Sequence, residues 1–155
     1  MTSYNILVLF AIVAFVNSEI VNFEECTYPE GTPLNCTIHE VRVNPCKEAA
    51  ESKPCRLKQP SKANISFDYT ADFQGDTLET TAYWTSKVID LPLLGMDTNA
   101  CATTTCPVQP GQKQTYHIEL PISKTFPSKT YKVKWRLWNA QEQECCFIFQ
   151  LKLHK

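Results

Sequence analysis

The stretch YKVKWRL, residues 131–137, alternates apolar and basic side chains without a break. Four apolar side chains share one face of this stretch: Tyr131, Val133, Trp135 and Leu137. Successive side chains of a β-strand point to opposite faces, so this period of two predicts a strand with one buried face and one solvated face.

The same period recurs on both sides of this stretch. It is clear in residues 62–71, 115–120 and 146–155, and weaker in residues 37–43, 78–84 and 87–94. Ten prolines and four glycines lie mostly between these runs, where proline does not interrupt a ladder. Short strands separated by turn signals predict an all-β fold, an immunoglobulin-like antiparallel β-sandwich.

The chain begins with a segment typical of export. Residues 6–16 are uniformly apolar and are followed by Val16-Asn17-Ser18, a small-residue cleavage pattern. The run is shorter than the roughly 20 residues that span a bilayer, which indicates a signal peptide over residues 1–18. A buried N-terminal strand or helix is the alternative. We therefore expect one mature domain, residues 19–155, without stable membrane insertion.

The charge distribution disfavours two classes of partner. The formal net charge is −1 and the basic residues form no tract. Phosphate recognition requires a concentrated positive surface, so nucleic acid is not an expected partner. Attachment to membranes by a polybasic patch is disfavoured for the same reason.

All eight cysteines follow residue 18, and an even count in an exported chain indicates disulfides. Zinc is the alternative, but there is no C-x-x-C pair and no histidine at a ligand spacing, so no metal is expected. Eight cysteines allow 105 pairings; closeness in sequence favours only Cys46 with Cys55 and Cys101 with Cys106. The sequons at Asn35 and Asn64 are candidate glycosylation sites.

Motifs for catalysis are not found in the sequence. The histidines are isolated, and we find no nucleophile elbow, glycine-rich phosphate loop or metalloprotease helix. Paired carboxylates of the kind that hydrolyse glycosides stay an open alternative. The predicted strands instead place large apolar side chains on inward faces, where they either fill a core or line a cavity. Composition does not distinguish these two cases.

Several segments, taken in order, resemble the ML lipid-recognition family in its Niemann–Pick type C-two (epididymal secretory) branch. They run over nearly the whole predicted mature chain and include the following: FEEC at 23–26, EVRVNPC at 40–46, NISF at 64–67, CPV at 106–108, LPI at 120–122 and VKWRL at 133–137. The ordered set carries the resemblance, and each motif by itself is short.

The resemblance implies two splayed sheets that hold a hydrophobic ligand in an internal apolar cavity, without a cofactor. It also implies the bridges Cys26–Cys146, Cys46–Cys55 and Cys101–Cys106, which leaves Cys36 and Cys145 as a fourth pair. Family members bind sterols, fatty acids or other long lipids. Two positions at the pocket mouth of the sterol carriers match Ile122 and Phe126, and a third, which is normally aromatic, aligns with Leu93.

The sequence and the resemblance together predict a secreted, or lysosomal, carrier of a fatty acid, sterol or lipid-like semiochemical. The alternative is a lipid-sensing recognition partner of a receptor, and a receptor or a lysosomal transporter is the candidate receiving protein. The expected ligand-binding residues are Phe67, Leu93, Leu94, Tyr116, Leu120, Ile122, Phe126, Trp135, Phe147 and Phe149. Leucine and methionine around residues 91–96 favour a long-chain lipid over a rigid ring system, because methionine adapts to irregular shapes.

Overall fold

Ten strands build the part of the chain that our computed structural model describes, residues 19–155. In chain order they are β1 (Glu19–Ile20), β2 (Phe23–Glu25), β3 (Cys36–Asn44), β4 (Cys55–Lys58), β5 (Ser61–Ala71), β6 (Glu79–Thr85), β7 (Asp90–Pro92), β8 (Lys113–Ile122), β9 (Thr130–Trp138) and β10 (Glu144–His154). Two short 3₁₀ turns, Lys47–Glu51 and Ala100–Ala102, lie in the connections. The signal-peptide prediction for residues 1–18 falls outside the described residues.

The first sheet has four strands in the order β1-β3-β5-β8, all antiparallel. Its central strand β5 follows the predicted alternation, and Ile65, Phe67 and Tyr69 are fully buried on the inner face. The register of β5 with β8 brings Phe67 opposite Tyr116. The alternation in the sequence therefore predicted the buried face of this sheet correctly.

The second sheet has six strands, with β2-β10-β9-β6-β7 in order and β4 paired to β10. The β9 strand confirms the alternation of residues 131–137, because Val133, Trp135 and Leu137 are all buried. The β10 strand likewise buries Phe147, Phe149, Leu151 and Leu153. One pairing departs from the expected antiparallel pattern: β4 runs parallel to the end of β10.

Two features differ from the sequence-based strands. The weak run at residues 87–94 contributes only Asp90–Pro92, because the preceding residues turn back in a hairpin held by Ser86. Strands β1, β2 and β4 were not predicted. They have two to four residues each, too few to show a period of two.

The two sides of the sandwich are joined differently. On the side of β3 and β10, hereafter the clamped edge, the chain crosses between sheets within residues 21–22. The bridge Cys36–Cys145 there links β3 to β10, and Cys46–Cys55 links the end of β3 to β4. On the other side, hereafter the open edge, the outermost strands are β8 of one sheet and β7 of the other.

The remaining two bridges act within one sheet or one loop. Cys26–Cys146 ties the end of β2 to β10, and Cys101–Cys106 closes a loop between β7 and β8. These four pairs are the same as those expected above. Within residues 19–155, no helix is long and apolar enough to cross a membrane.

Candidate functional site

The interior between the sheets has two zones, and the first is a cluster of aromatic rings. Phe67 lies at its centre, with ring centroids 5.1 Å from Tyr116, 4.9 Å from Phe147 and 6.1 Å from Trp135. Phe149 continues the cluster, 5.9 Å from Phe147. These separations are those of packed aromatic pairs, so the rings fill the space that they surround.

Polar atoms within this cluster have partners or stay neutral. The Trp135 indole N–H donates to Thr80 Oγ1 at 2.9 Å, and this hydroxyl donates to the Arg136 carbonyl. Burial raises the pKa of Tyr116 to about 12, and burial also raises the pKa of Tyr69. Both phenols are therefore protonated at neutral pH, and the cluster is an uncharged, well-packed core.

The second zone is an apolar crevice between the sheets at the open edge. Its cavity volume is about 10 Å³, roughly the space of one water-sized probe. Aliphatic rather than aromatic side chains form most of its inner wall, including Ile65, Leu120, Val133 and Leu151. The expected internal cavity is thus a narrow crevice in this structure, and the rest of the interior is filled.

Two aromatic rings, Phe126 and Trp84, line the outer end of the crevice. Phe126 lies in the connection between β8 and β9, and its ring packs edge-on against Trp84 at a centroid distance of 5.6 Å. Trp84 also contacts Tyr131, with centroids 4.5 Å apart. Leu93 approaches from the end of β7, where its N–H donates to the Ala82 carbonyl at 2.8 Å. Phe126, Trp84 and Leu93 therefore form the mouth of the crevice.

The opposite half of the open edge is closed by the backbone. The long connection from β7 to β8 folds back on β6, with Thr80 N–H donating to Thr98 and Ala100 N–H donating to Leu78. A further bridge pairs Gly75 with Val108. Among residues 19–155 this connection covers one half of the edge, and the crevice opens at the other half, beside Phe126.

The structure divides the ten predicted ligand-binding residues into three groups. Four line the crevice: Leu93, Leu120, Ile122 and Phe126. Five belong to the packed aromatic cluster: Phe67, Tyr116, Trp135, Phe147 and Phe149. Leu94 belongs to neither group, because its side chain is 88% exposed in the turn that it forms with Gly95.

Sequence reasoning missed several crevice residues. Trp84 and Ala82 face the interior from β6, opposite Val133 and Trp135. The two-residue spacing of Ala82 and Trp84 was a usable signal, although the polar residues around it made the alternation weak. Gln59 contacts the mouth from outside the crevice, and no such signal marks it in the sequence.

A larger groove of about 240 Å³ lies at the edge of β10 between β2 and β4. Its lining includes Glu24, Lys53 and Lys132, and the latter is 3.5 Å from Glu24 in an ion pair. A groove with charged walls is a poor site for an apolar molecule, because the charges lose their hydration when it binds. The small apolar crevice is therefore the better candidate site.

Fold and site together define a class: a disulfide-bonded β-sandwich with an apolar crevice at one unlinked edge. Residues 20–153 match the family model of the ML domain. The chain is 38% identical over 128 residues to the MD-2-related lipid-recognition protein of Manduca sexta, covering 81% of this chain and 82% of that protein. The chain therefore belongs to the ML domain family.

One further relative and one solved structure are also similar to this chain. The NPC intracellular cholesterol transporter 2 of Sus scrofa is 26% identical over 144 residues, covering 92% of this chain and 90% of the transporter. The crystal structure of a Niemann-Pick type C2 protein from Japanese carpenter ant superposes with a TM-score of 0.73 at 16% identity, over 86% of this chain and 99% of that one. The structural likeness supports the immunoglobulin-like sandwich fold.

Proposed function

We propose that this protein is a secreted carrier that takes up one hydrophobic ligand between its sheets through the mouth at Phe126. The ligand is a fatty acid, a sterol or a lipid-like semiochemical, which the protein transports or delivers. The observation that carries the proposal is the apolar crevice at the one edge of the sandwich that no disulfide crosses. The lipid-recognition and cholesterol-transporter names of the relatives support the ligand class.

Transfer of apolar surface supplies the driving force. Each buried methylene contributes about 0.8 kcal/mol, so a sixteen-carbon chain contributes about 12 kcal/mol before ordering costs are subtracted. The crevice wall matches such a chain because it consists of aliphatic and aromatic side chains, among them Ile65, Leu120 and Val133. A few polar groups at the mouth are enough to orient a carboxylate or hydroxyl.

Uptake requires the crevice to widen, since about 10 Å³ does not hold an alkyl chain. Widening at the open edge separates β8 from β6 and β7, strands that belong to different sheets. It breaks side-chain contacts such as Phe126 on Trp84, while the ladders inside each sheet persist. Bound ligand then replaces the contacts that the side chains lose.

The segment around Leu93 favours a long-chain lipid over a flat ring system. Leu93 of the mouth and Met96, three residues further along the chain, are both half-buried against the core, and a methionine side chain adapts to irregular shapes more readily than an aromatic ring does. Secretion is supported by the four disulfides and by the predicted signal peptide, since disulfides persist in oxidising compartments.

A pair of variants tests the proposal through displacement of a fluorescent fatty acid and a melting curve. Phe126→Ala removes a half-buried ring at the mouth, and we expect weaker or less selective binding with nearly unchanged thermal stability. Trp135→Ala removes a fully buried ring of the aromatic cluster and should lose about 3–5 kcal/mol of unfolding free energy together with binding. A parent protein that binds no apolar probe would overturn the carrier function.

A second function is favoured by one surface. The hairpin between β6 and β7 exposes several large apolar side chains beside the mouth, of which Val88 is 93% exposed; the others are Ile89, Leu91 and Leu94. Exposed apolar patches mark interaction sites, so a lipid-sensing recognition partner of a receptor is the alternative. A stoichiometric complex with another protein in native extracts, without exchange of lipid, would favour this alternative over the carrier.

A further inference from the structure

One buried polar side chain contacts the mouth from behind. Gln59 follows β4 and is 6% exposed, although its side chain carries an uncharged amide with both donor and acceptor atoms. Its backbone N–H donates to the His154 carbonyl at 2.8 Å, which anchors the residue to the last strand of the six-stranded sheet. The backbone of Gln59 is thus fixed to β10, and its side chain extends toward the connection between β8 and β9.

The amide of Gln59 is bonded entirely to the connection between β8 and β9. Its Nε2 donates to the carbonyl of Ser123 at 2.9 Å and to the carbonyl of Phe126 at 2.7 Å. Its Oε1 accepts from the Ser128 hydroxyl at 2.9 Å. Three hydrogen bonds therefore bind both ends and the middle of residues 123–128, which we call the mouth loop, to one side chain.

These bonds determine where the Phe126 ring lies. The Phe126 carbonyl is held by Gln59 on one side, and the Phe126 ring packs on Trp84 on the other. A shift of the loop backbone that carries the ring away from Trp84 therefore strains or breaks the bonds to Gln59. A buried amide that loses its partners is costly, because no water replaces them.

We propose that Gln59 is a positioning residue that latches the mouth loop and sets the rate at which ligand enters and leaves the crevice. It acts through Phe126 and does not itself line the crevice. Without the latch the mouth opens more often, so that association and dissociation both accelerate while the affinity changes little. Because this role rests on the proposed function, its test has one readout with ligand and one without.

The variant is Gln59→Ala, and the matched control is Asn139→Ala. Asn139 is a second buried amide, 2% exposed, which bonds Gln74 and Gln143 at the opposite end of β9. Truncating either amide removes comparable hydrogen bonds and lowers stability. Only Gln59 contacts the mouth loop, so a general loss of stability affects both variants and a loss of the latch affects one.

The readouts with ligand are stopped-flow binding of cis-parinaric acid, which gives the association rate, and its transfer from the protein to phosphatidylcholine vesicles, which gives the dissociation rate. We expect Gln59→Ala to raise the dissociation and association rates by about tenfold each, the effect of losing one or two hydrogen bonds. The dissociation constant should change by less than about threefold, and Asn139→Ala should leave the rates within about twofold. Equal acceleration in both variants, or unchanged rates in Gln59→Ala, overturns the latch.

The readout without ligand is hydrogen exchange in the mouth loop, whose Phe126 N–H donates to Ser123. Exchange should accelerate in Gln59→Ala by about tenfold and stay as in the parent in Asn139→Ala. Unchanged exchange overturns the latch even if ligand binds. A parent that binds no probe overturns both the proposed function and the gating role, and faster exchange would then show only that Gln59 orders the loop.

Discussion

The two long edges of this sandwich hold the two sheets together in different ways. At the clamped edge, Cys36–Cys145 and Cys46–Cys55 join the sheets, and residues 21–22 carry the chain across. At the open edge, the mouth end is closed by side-chain packing of Phe126 on Trp84 and by one amide latch. A covalent link resists separation in a way that a few van der Waals contacts do not. We therefore expect the sheets to separate at the open edge rather than at the clamped edge.

The most direct test of this comparison removes a disulfide from the clamped edge. Cys36→Ala with Cys145→Ala removes a bridge of sequence separation 109. The neighbouring Cys26–Cys146 bridge stays in place, so the loop that Cys36–Cys145 closes in the unfolded chain has only about 11 residues, and the chain-entropy model predicts a loss of about 3 kcal/mol of unfolding free energy. The control pair, Cys101→Ala with Cys106→Ala, removes a bridge with a sequence separation of only 5 and should lose about 2 kcal/mol of unfolding free energy. Denaturant unfolding measures both, and equal losses would contradict the special role of the clamped edge.

A smaller effect is expected from a polar contact at the same edge. The Tyr28 hydroxyl donates to Glu144 at 3.0 Å, and burial together with the Glu144 carboxylate raises the pKa of Tyr28 above its ordinary 10.0. Tyr28→Phe should therefore lose about 1 kcal/mol at neutral pH.

The same contact predicts a pH dependence. A raised pKa in the folded state means that the proton stabilises the folded protein, so the contribution is complete below pH 10 and declines as the pH rises further. Urea unfolding of parent and variant at several alkaline pH values checks this, and a difference that grows above pH 10 would contradict it.

At the open edge, two neighbouring leucines test whether the ligand binds inside the crevice. Leu93 lines the crevice, whereas Leu94 is 88% exposed. Leu93→Ala should weaken fatty-acid binding by about threefold, because a ligand loses part of one aliphatic contact. Leu94→Ala should leave affinity unchanged. Fluorescence displacement compares the two variants, and a larger loss in Leu94→Ala would place the ligand on the exposed hairpin instead.

The smallest effect concerns glycans. Asn64 is exposed on the outer face of β5, whereas Asn35 is half-buried and directly precedes the bridged Cys36 at the clamped edge. We expect a glycan on Asn64, little or none on Asn35, and no change in melting temperature for Asn64→Gln beyond that of a surface substitution. Glycopeptide mapping decides this, and full occupancy at Asn35 would mean that the clamped edge does not restrict its sequon.

Much of the fold was readable from the sequence because alternation is local. The inward faces of β5, β9 and β10 follow from the spacing of residues such as Phe67, Trp135 and Phe149. The short strands β1, β2 and β4, and the parallel direction of β4, were not readable, since their pairing depends on partners far away in sequence.

The site was less predictable than the fold. Leu93, Leu120, Ile122 and Phe126 were expected and do line the crevice, but the same reasoning also selected aromatic rings that turn out to be packed against each other. Inward direction is a property of the strand pattern. Whether the space in front of a side chain is filled depends on what the opposite sheet presents.

The sequence alone determined an all-β chain with eight cysteines, the inward faces of its long strands and the family it resembles, because these depend on residue type and near-neighbour spacing. Only the tertiary structure decided which edge is covalently joined, where the crevice opens and that Gln59 holds the mouth loop. Those features come from contacts between residues such as Gln59 and Phe126, 67 positions apart. No local period encodes such contacts, since they exist only once the two sheets have packed.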